Sequence, residues 1–197
     1  MVCLTDIHCS YQYSSLITHV IARKDVDLVL IAGDIECEHP LDEILGVGVK
    51  VYAVTGNMDD TYIYRVLREK GVGIDGSIVE YKGYYVAGIG GIGFRTNYER
   101  VLNEIKCIDR DRLVVLSHYP AYGFNDKTYS GVHAGLKELR DLIMECQPLL
   151  FIHGHIHEAR GIARCGNTVI VNPGPLMHGY YSVIDISDTI NVVLERL

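Results

Sequence analysis

Six short apolar runs rich in Val and Ile punctuate the chain: VDLVLIAGD (26–34), VKVYAVTGN (49–57), YYVAGIGG (84–91), RLVVLSHYP (112–120), PLLFIHGHIH (148–157) and TVIVNPG (168–174). Runs without polar alternation predict strands buried on both faces. Between the early runs, Leu16, Ile17, Val20 and Ile21 recur at helical spacing, and residues 40–45 predict a short helix with Pro40 near its start and Gly46 closing it. A further helix over 64–71 closes at Gly71, after which the pattern turns to strands with a hairpin at Lys82-Gly83. Helices are also expected over 98–106 and around Leu136, Leu139, Leu142 and Ile143, and the tail predicts a closing hairpin about Ser187-Asp188. Helical connections early and hairpins late point to an α/β (α+β) fold, two packed mixed sheets flanked by helices.

A chain of 197 residues fits one domain, 1–197, and buries about 70% of its unfolded surface. No apolar stretch reaches the roughly 20 residues that span a bilayer. The opening Met1-Val2-Cys3-Leu4 meets Asp6 too soon for a signal peptide, so a cytoplasmic protein without a membrane partner is expected. The formal net charge of −7, with no Lys/Arg run, disfavours long duplex nucleic acid. A small phosphorylated substrate stays compatible, because bound cations make a pocket positive whatever the global charge. Six cysteines, at 3, 9, 37, 107, 146 and 165, form no C-x-x-C pair, and reduced, mostly buried thiols are expected.

The polar residues fall where the apolar runs stop. Asp6 and His8 follow a shortened run at the start, and of the six runs above Asp34 and Asn57 close the first two, His118 the fourth, and His155 and His157 the fifth. Alternation at a strand end would aim His153, His155 and His157 to one side, with Gly154 letting the backbone bend. In α/β sheets ligands bind beyond the carboxyl ends of the strands, so these scattered side chains are expected to converge. Seven carboxylate, amide and imidazole groups exceed one tetrahedral ion. They suit two divalent ions about 3.5–4 Å apart, bridged by a carboxylate, the geometry that clamps a phosphoryl group.

The ordered blocks DIH, GDI, GNMD, SHYP and GHIH resemble the signature of the calcineurin-like metallophosphoesterases, and size and the NPG tail resemble their small bacterial and archaeal phosphodiesterase branch. The resemblance implies a four-layer αββα sandwich and hydrolysis of P–O esters by a hydroxide shared between two metals. It places Asp6, His8, Asp34 and His157 on the first metal and Asp34, Asn57, His118 and His155 on the second. Asp34 would bridge, and the Asn57 amide would help stabilise the added negative charge. His153 has no counterpart and is read as a supporting or packed residue. Manganese is the expected metal, with iron, nickel, zinc, cobalt and magnesium as alternatives. The rival readings are a scaffold for protein binding built on the same fold, a phosphomonoesterase, and a nuclease on short single strands. Oligomeric state is left open, a homodimer included.

Met58 stands where many members of that family carry a histidine that protonates the leaving group, and a thioether cannot donate a proton. Diesters and esters with good leaving groups are therefore the expected substrates. Asp59 keeps the acidic place, as support for His118 or as a surface carboxylate. GIGGIG (88–93) matches a dinucleotide fingerprint, with Asp109 about twenty residues on. Phe94 to Asn97 separate it from the next helical pattern, so glycines that let a sheet pack closely are preferred. Residues 118–135 are a candidate lid, with His133 and Asn125 as candidate substrate contacts. Cys9 and Cys37 are read as small packing residues.

Overall fold

The computed structural model describes residues 1–197 except Lys24, Cys107 and Asp188. Parallel strands β1 (Val2–Leu4), β2 (Leu28–Ala32) and β3 (Lys50–Val54) are joined through α1 (Tyr11–Arg23) and α2 (Glu38–Gly46), with α3 (Thr61–Glu69) following β3. The second sheet takes β4 (Ser77–Tyr81), β5 (Tyr84–Ile89), β6 (Leu113–Ser117), β7 (Leu150–Ile152), β8 (Gly161–Cys165) and β9 (Thr168–Asn172) in the order β4-β5-β6-β7-β9-β8. Its helices are α4 (Phe94–Ile105) and α5 (Lys137–Cys146). The chain returns through β10 (Tyr180–Ile186) and β11 (Ile190–Arg196) to complete the first sheet, β11-β10-β1-β2-β3. The second sheet has a parallel centre with an antiparallel strand at each edge, whereas the first is parallel through β1, β2 and β3 and antiparallel only on its β10–β11 side.

Strand β2 shows why the runs lack alternation. Leu28, Leu30 and Ala32 enter the core between the sheets, while Val29 and Ile31 pack beneath α1, α2 and α3 with Ile17, Ile44 and Ile63. A strand covered on both faces needs an apolar side chain at every position. A third core lies under α4 and α5, where Val101, Leu139 and Ile143 meet Val115 and Phe151. Three apolar seams between four layers give the αββα sandwich expected from the motifs.

The hairpin at Lys82-Gly83 forms, both residues having positive φ (49° and 82°), as a two-residue turn of that twist requires. Strands β10 and β11 pair antiparallel, and Asp188 of the expected closing turn lies outside the described residues. Helix α4 starts at Phe94, four residues before the expected Tyr98, because Gly93 turns the chain at φ 67° and Asn97 donates its side-chain amide to the carbonyls of Gly90 and Ile92. GIGGIG therefore does sit at a strand-to-helix turn, and the separation argued from Phe94–Asn97 is corrected. Close packing fills the turn even so: a Cβ on Gly90 would overlap the Asp75 carboxylate. Asp109 caps a turn at the amino end of β6, the wrong end for a ribose contact.

The cysteine expectation is also corrected. Cys9 and Cys37 form a disulfide with Cα atoms 5.0 Å apart, while Cys3, Cys146 and Cys165 are free and Cys107 lies outside the described residues. Twenty-eight positions separate the pair in sequence. Because β1 and β2 are parallel neighbours, the loops that follow them meet.

Candidate metal centre

Every residue of the expected set leaves the carboxyl end of a parallel strand. Asp6 and His8 follow β1, Asp34 follows β2, Asn57 follows β3, His118 follows β6, and His155 and His157 follow β7. The loops knit to each other: the Asp6 N–H donates to Gly33 O (3.0 Å), the His8 N–H to Asp34 O (3.0 Å) and the Gly154 N–H to His118 O (3.1 Å). Asp6, His8, Asp34 and His155 all adopt left-handed φ (51°, 46°, 53° and 71°). Such backbone costs about 1–3 kcal/mol per non-glycine residue and persists where surroundings over-determine it, commonly at functional sites. At Gly56 a Cβ would overlap the Asp34 carboxylate, which explains the glycine before Asn57.

The side-chain atoms face one another in a way that hydrogen bonding does not satisfy. His118 Nδ1 lies 2.8 Å from the carbonyl of Ala32, an acceptor only, so this nitrogen carries the proton and Nε2 a lone pair. That Nε2 faces Asn57 Oδ1 at 2.8 Å and Asp34 Oδ1 at 3.6 Å. His8 repeats the arrangement: its Nδ1 is 2.7 Å from the Glu36 carboxylate, and its Nε2 faces His157 Nε2 at 3.3 Å and Asp34 Oδ2 at 3.8 Å. Acceptors that converge without an intervening donor repel unless a cation lies between them, and carboxylate, amide and neutral imidazole suit a divalent one. Two groups of ligand atoms lie within 4.8 Å of one another, Asp6 with His8 and His157, and Asp6 with Asp34 and His118. Asp34 turns one oxygen to each group.

Burial and charge work against each other here. Burial raises the Asp6 carboxyl, but the His157 hydrogen bond and the neighbouring imidazoles win and hold it below its ordinary range. In Asp34 burial wins over His118 and the Met58 N–H, and the group is raised. Burial and His118 push His155 down to about 4, leaving its imidazole neutral, while its backbone N–H donates to Asp6 Oδ2 (3.2 Å). His157 is raised by its bond to Asp6.

Other expected residues fall differently. Strand β7 ends at Ile152, so the three histidines do not alternate along a strand. His153 is fully buried, its Nε2 has no partner, and burial drives it down to about 4. Gly154 serves close approach instead of a bend, since a Cβ there would overlap the Thr5 hydroxyl. Asp59 is neither bonded to His118 nor at the surface: the N–H groups of Ile35, Glu36 and Gly56 donate to it (2.7–2.8 Å), tying the β2 loop to the β3 loop. It is a clamp on the centre, not a group that reaches it. Met58 is 58% exposed at the rim. The 118–135 loop is pinned by bridges Ala121–Leu136 and Lys127–His133. Asn125 donates to Gly161 O, His133 bonds the buried Asp126 carboxylate (2.6 Å), and both line a cavity of about 320 Å³ with Glu158 and Arg160, bonding no member of the ligand groups.

Two residues escaped the sequence reading. Glu36 orients His8, and its place two positions past Asp34 in the same loop was the available signal. Tyr119 packs edge-on against His118 and His155 (centroids 5.2 and 5.0 Å), and its signal was adjacency to His118.

The calcineurin-like phosphoesterase superfamily domain matches residues 1–188, and the chain belongs to that superfamily. It is 28% identical over 202 aligned positions to the uncharacterized protein MJ1162 of Methanocaldococcus jannaschii, covering 90% of this chain and 89% of that protein. Over 107 residues it is 33% identical to the UPF0046 protein K07C11.7 of Caenorhabditis elegans, covering 54% of this chain and only 36% of the relative's length. A structure described as a novel archaeal phosphodiesterase shares the fold, with a TM-score of 0.63 and 14% identity over 99% of this chain and all of that one. Among the described residues no helix is long and apolar enough to cross a membrane.

Proposed function

We propose that this phosphoesterase-superfamily chain, acting as one domain over 1–197, is a phosphodiesterase that uses two divalent ions. The observation that carries the reading is the convergence of lone pairs: His118 Nε2 on Asn57 Oδ1 and Asp34 Oδ1, and His8 Nε2 on Asp34 Oδ2. Asp6, His8 and His157 would hold one ion, Asn57, His118 and His155 the other, and Asp34 both. Manganese is the metal to try first. Bound there, divalent ions neutralise phosphoryl oxygens and acidify water. This chain's own part is to hold His8 and His118 in the tautomer that leaves Nε2 free, through Glu36 and the Ala32 carbonyl. Asn57 keeps its amide NH₂ for a phosphoryl oxygen. Substrates are small phosphorylated molecules, with no role for long duplexes. Asn125 and His133 would contact the distal part of the substrate from the neighbouring cavity.

With Met58 at the rim, no side chain of that block protonates a departing alkoxide, so esters with good leaving groups are favoured. The test is hydrolysis of bis(p-nitrophenyl) phosphate with Mn²⁺ by the wild type and Asp34→Asn. Manganese-dependent turnover lost in the variant supports the reading; manganese binding without turnover would favour a scaffold. In the same assay, Met58→His should raise turnover of alkyl esters more than of nitrophenyl esters.

A further inference from the structure

Cys9 directly follows His8, and Cys37 directly follows Glu36, the carboxylate bonded to His8. Their disulfide therefore staples together the two loops that face the first metal position. The Cα separation of 5.0 Å is one a disulfide spans without backbone movement. Both cysteines are half-buried, within reach of a small oxidant or a dithiol, whereas burial seals Cys3 and pushes its thiol up to about 12. His8, Cys9 and Glu36 hold left-handed φ of 46°, 55° and 61°, and backbone bonds such as Cys9 N–H to Ile35 O (3.2 Å) hold the same loops. A covalent link across two strained loops keeps them closed; its removal lets them relax and lets His8 lose its aim.

We propose that Cys9 and Cys37 are a redox-modification site, and that reducing their bond weakens binding of a divalent ion by Asp6, His8 and His157; this rests on the metal reading above. In the oxidising direction one thiol attacks a peroxide oxygen, forming a sulfenic acid and releasing water. The second thiol then attacks that sulfur, forming the S–S bond and releasing a second water. In the reverse direction a dithiol supplies two electrons and two protons and becomes a disulfide itself.

The test uses the full chain, freed of metal and divided into peroxide-treated and dithiothreitol-treated portions, each desalted without air. Peptide mapping after alkylation reports the bond, and calorimetric titration with Mn²⁺ reports affinity. The expected result is a Cys9–Cys37 linked peptide only after oxidation, with tighter manganese binding by about tenfold. Cys9→Ser/Cys37→Ser should bind like the reduced form after either treatment, and Cys146→Ser/Cys165→Ser should still respond. The oxidised and reduced wild type carry the test without any variant. Free Cys9 and Cys37 after peroxide, or linked peptides with equal affinities, would overturn the proposal and leave the metal reading standing. Absence of manganese binding in both states would overturn both.

Discussion

The two ends of the sandwich use the same strands for opposite purposes. At the carboxyl ends of β1, β2, β3, β6 and β7, polar and ionisable groups are sealed inside: Asp6 and His118 are fully buried and Asp34 is 2% exposed. At the amino ends, a cavity of about 310 Å³ takes its apolar lining from Leu28, Leu30, Val86, Val114 and Ile184. The charges there stay on the rim, where Lys82 pairs with Asp27. Burying a charge is unfavourable unless it is paired or meets a metal. One end follows the rule for a core and the other departs from it, which separates what holds the fold from what the fold is for.

Substitutions at each end should split activity from stability. Asp34→Asn should lower diesterase turnover on the order of 10³-fold while the metal-free protein unfolds at an unchanged or higher denaturant concentration, because a carboxyl raised by burial is removed. If it unfolded much more easily, the ends would not differ as argued. Leu30→Ala, which empties part of the inter-sheet core, should cost about 2–5 kcal/mol in denaturant unfolding yet leave turnover per folded molecule alone.

Acid sharpens the contrast further. His153 titrates at about 4 when folded, below the ordinary 6.5, so the unfolded chain binds the extra proton. Stability is complete above pH 6.5 and falls as pH drops toward 4, by about 3 kcal/mol for this group. Denaturation of the metal-free protein at pH 7.5 and 4.5, set against His153→Gln, isolates that slope. The smallest effect belongs to Glu36→Gln, which keeps a hydrogen-bond acceptor on His8 but loses the charge. Manganese affinity should fall about tenfold with no change in thermal midpoint of the metal-free protein, read by calorimetry and scanning fluorimetry.

The layers were legible because parallel strands covered on both faces must be apolar throughout, and β2, β3, β5, β6 and β9 each fall inside a run picked out by that criterion. The convergence of Asp6, His8, Asp34, His118 and His157 was legible for a related reason, since each polar residue sits where an apolar run breaks. What stayed hidden depends on through-space neighbours or backbone angles. Asp59 reads as an ordinary acid until Ile35 and Glu36 are seen to donate to it. Cys9 and Cys37 have no spacing signal, because their meeting depends on which strands are adjacent. The start of α4 depended on Gly93 and Asn97, local bonds that override a weak helical pattern.

Because Asp59 anchors the turn from beneath, the side chain at 58 hangs outward over solvent while its own N–H braces Asp34 at 2.8 Å. Position 58 contributes only its backbone to the cradle. A lineage is thereby free to exchange that rim side chain without re-engineering the inner cradle of carboxylates and imidazoles.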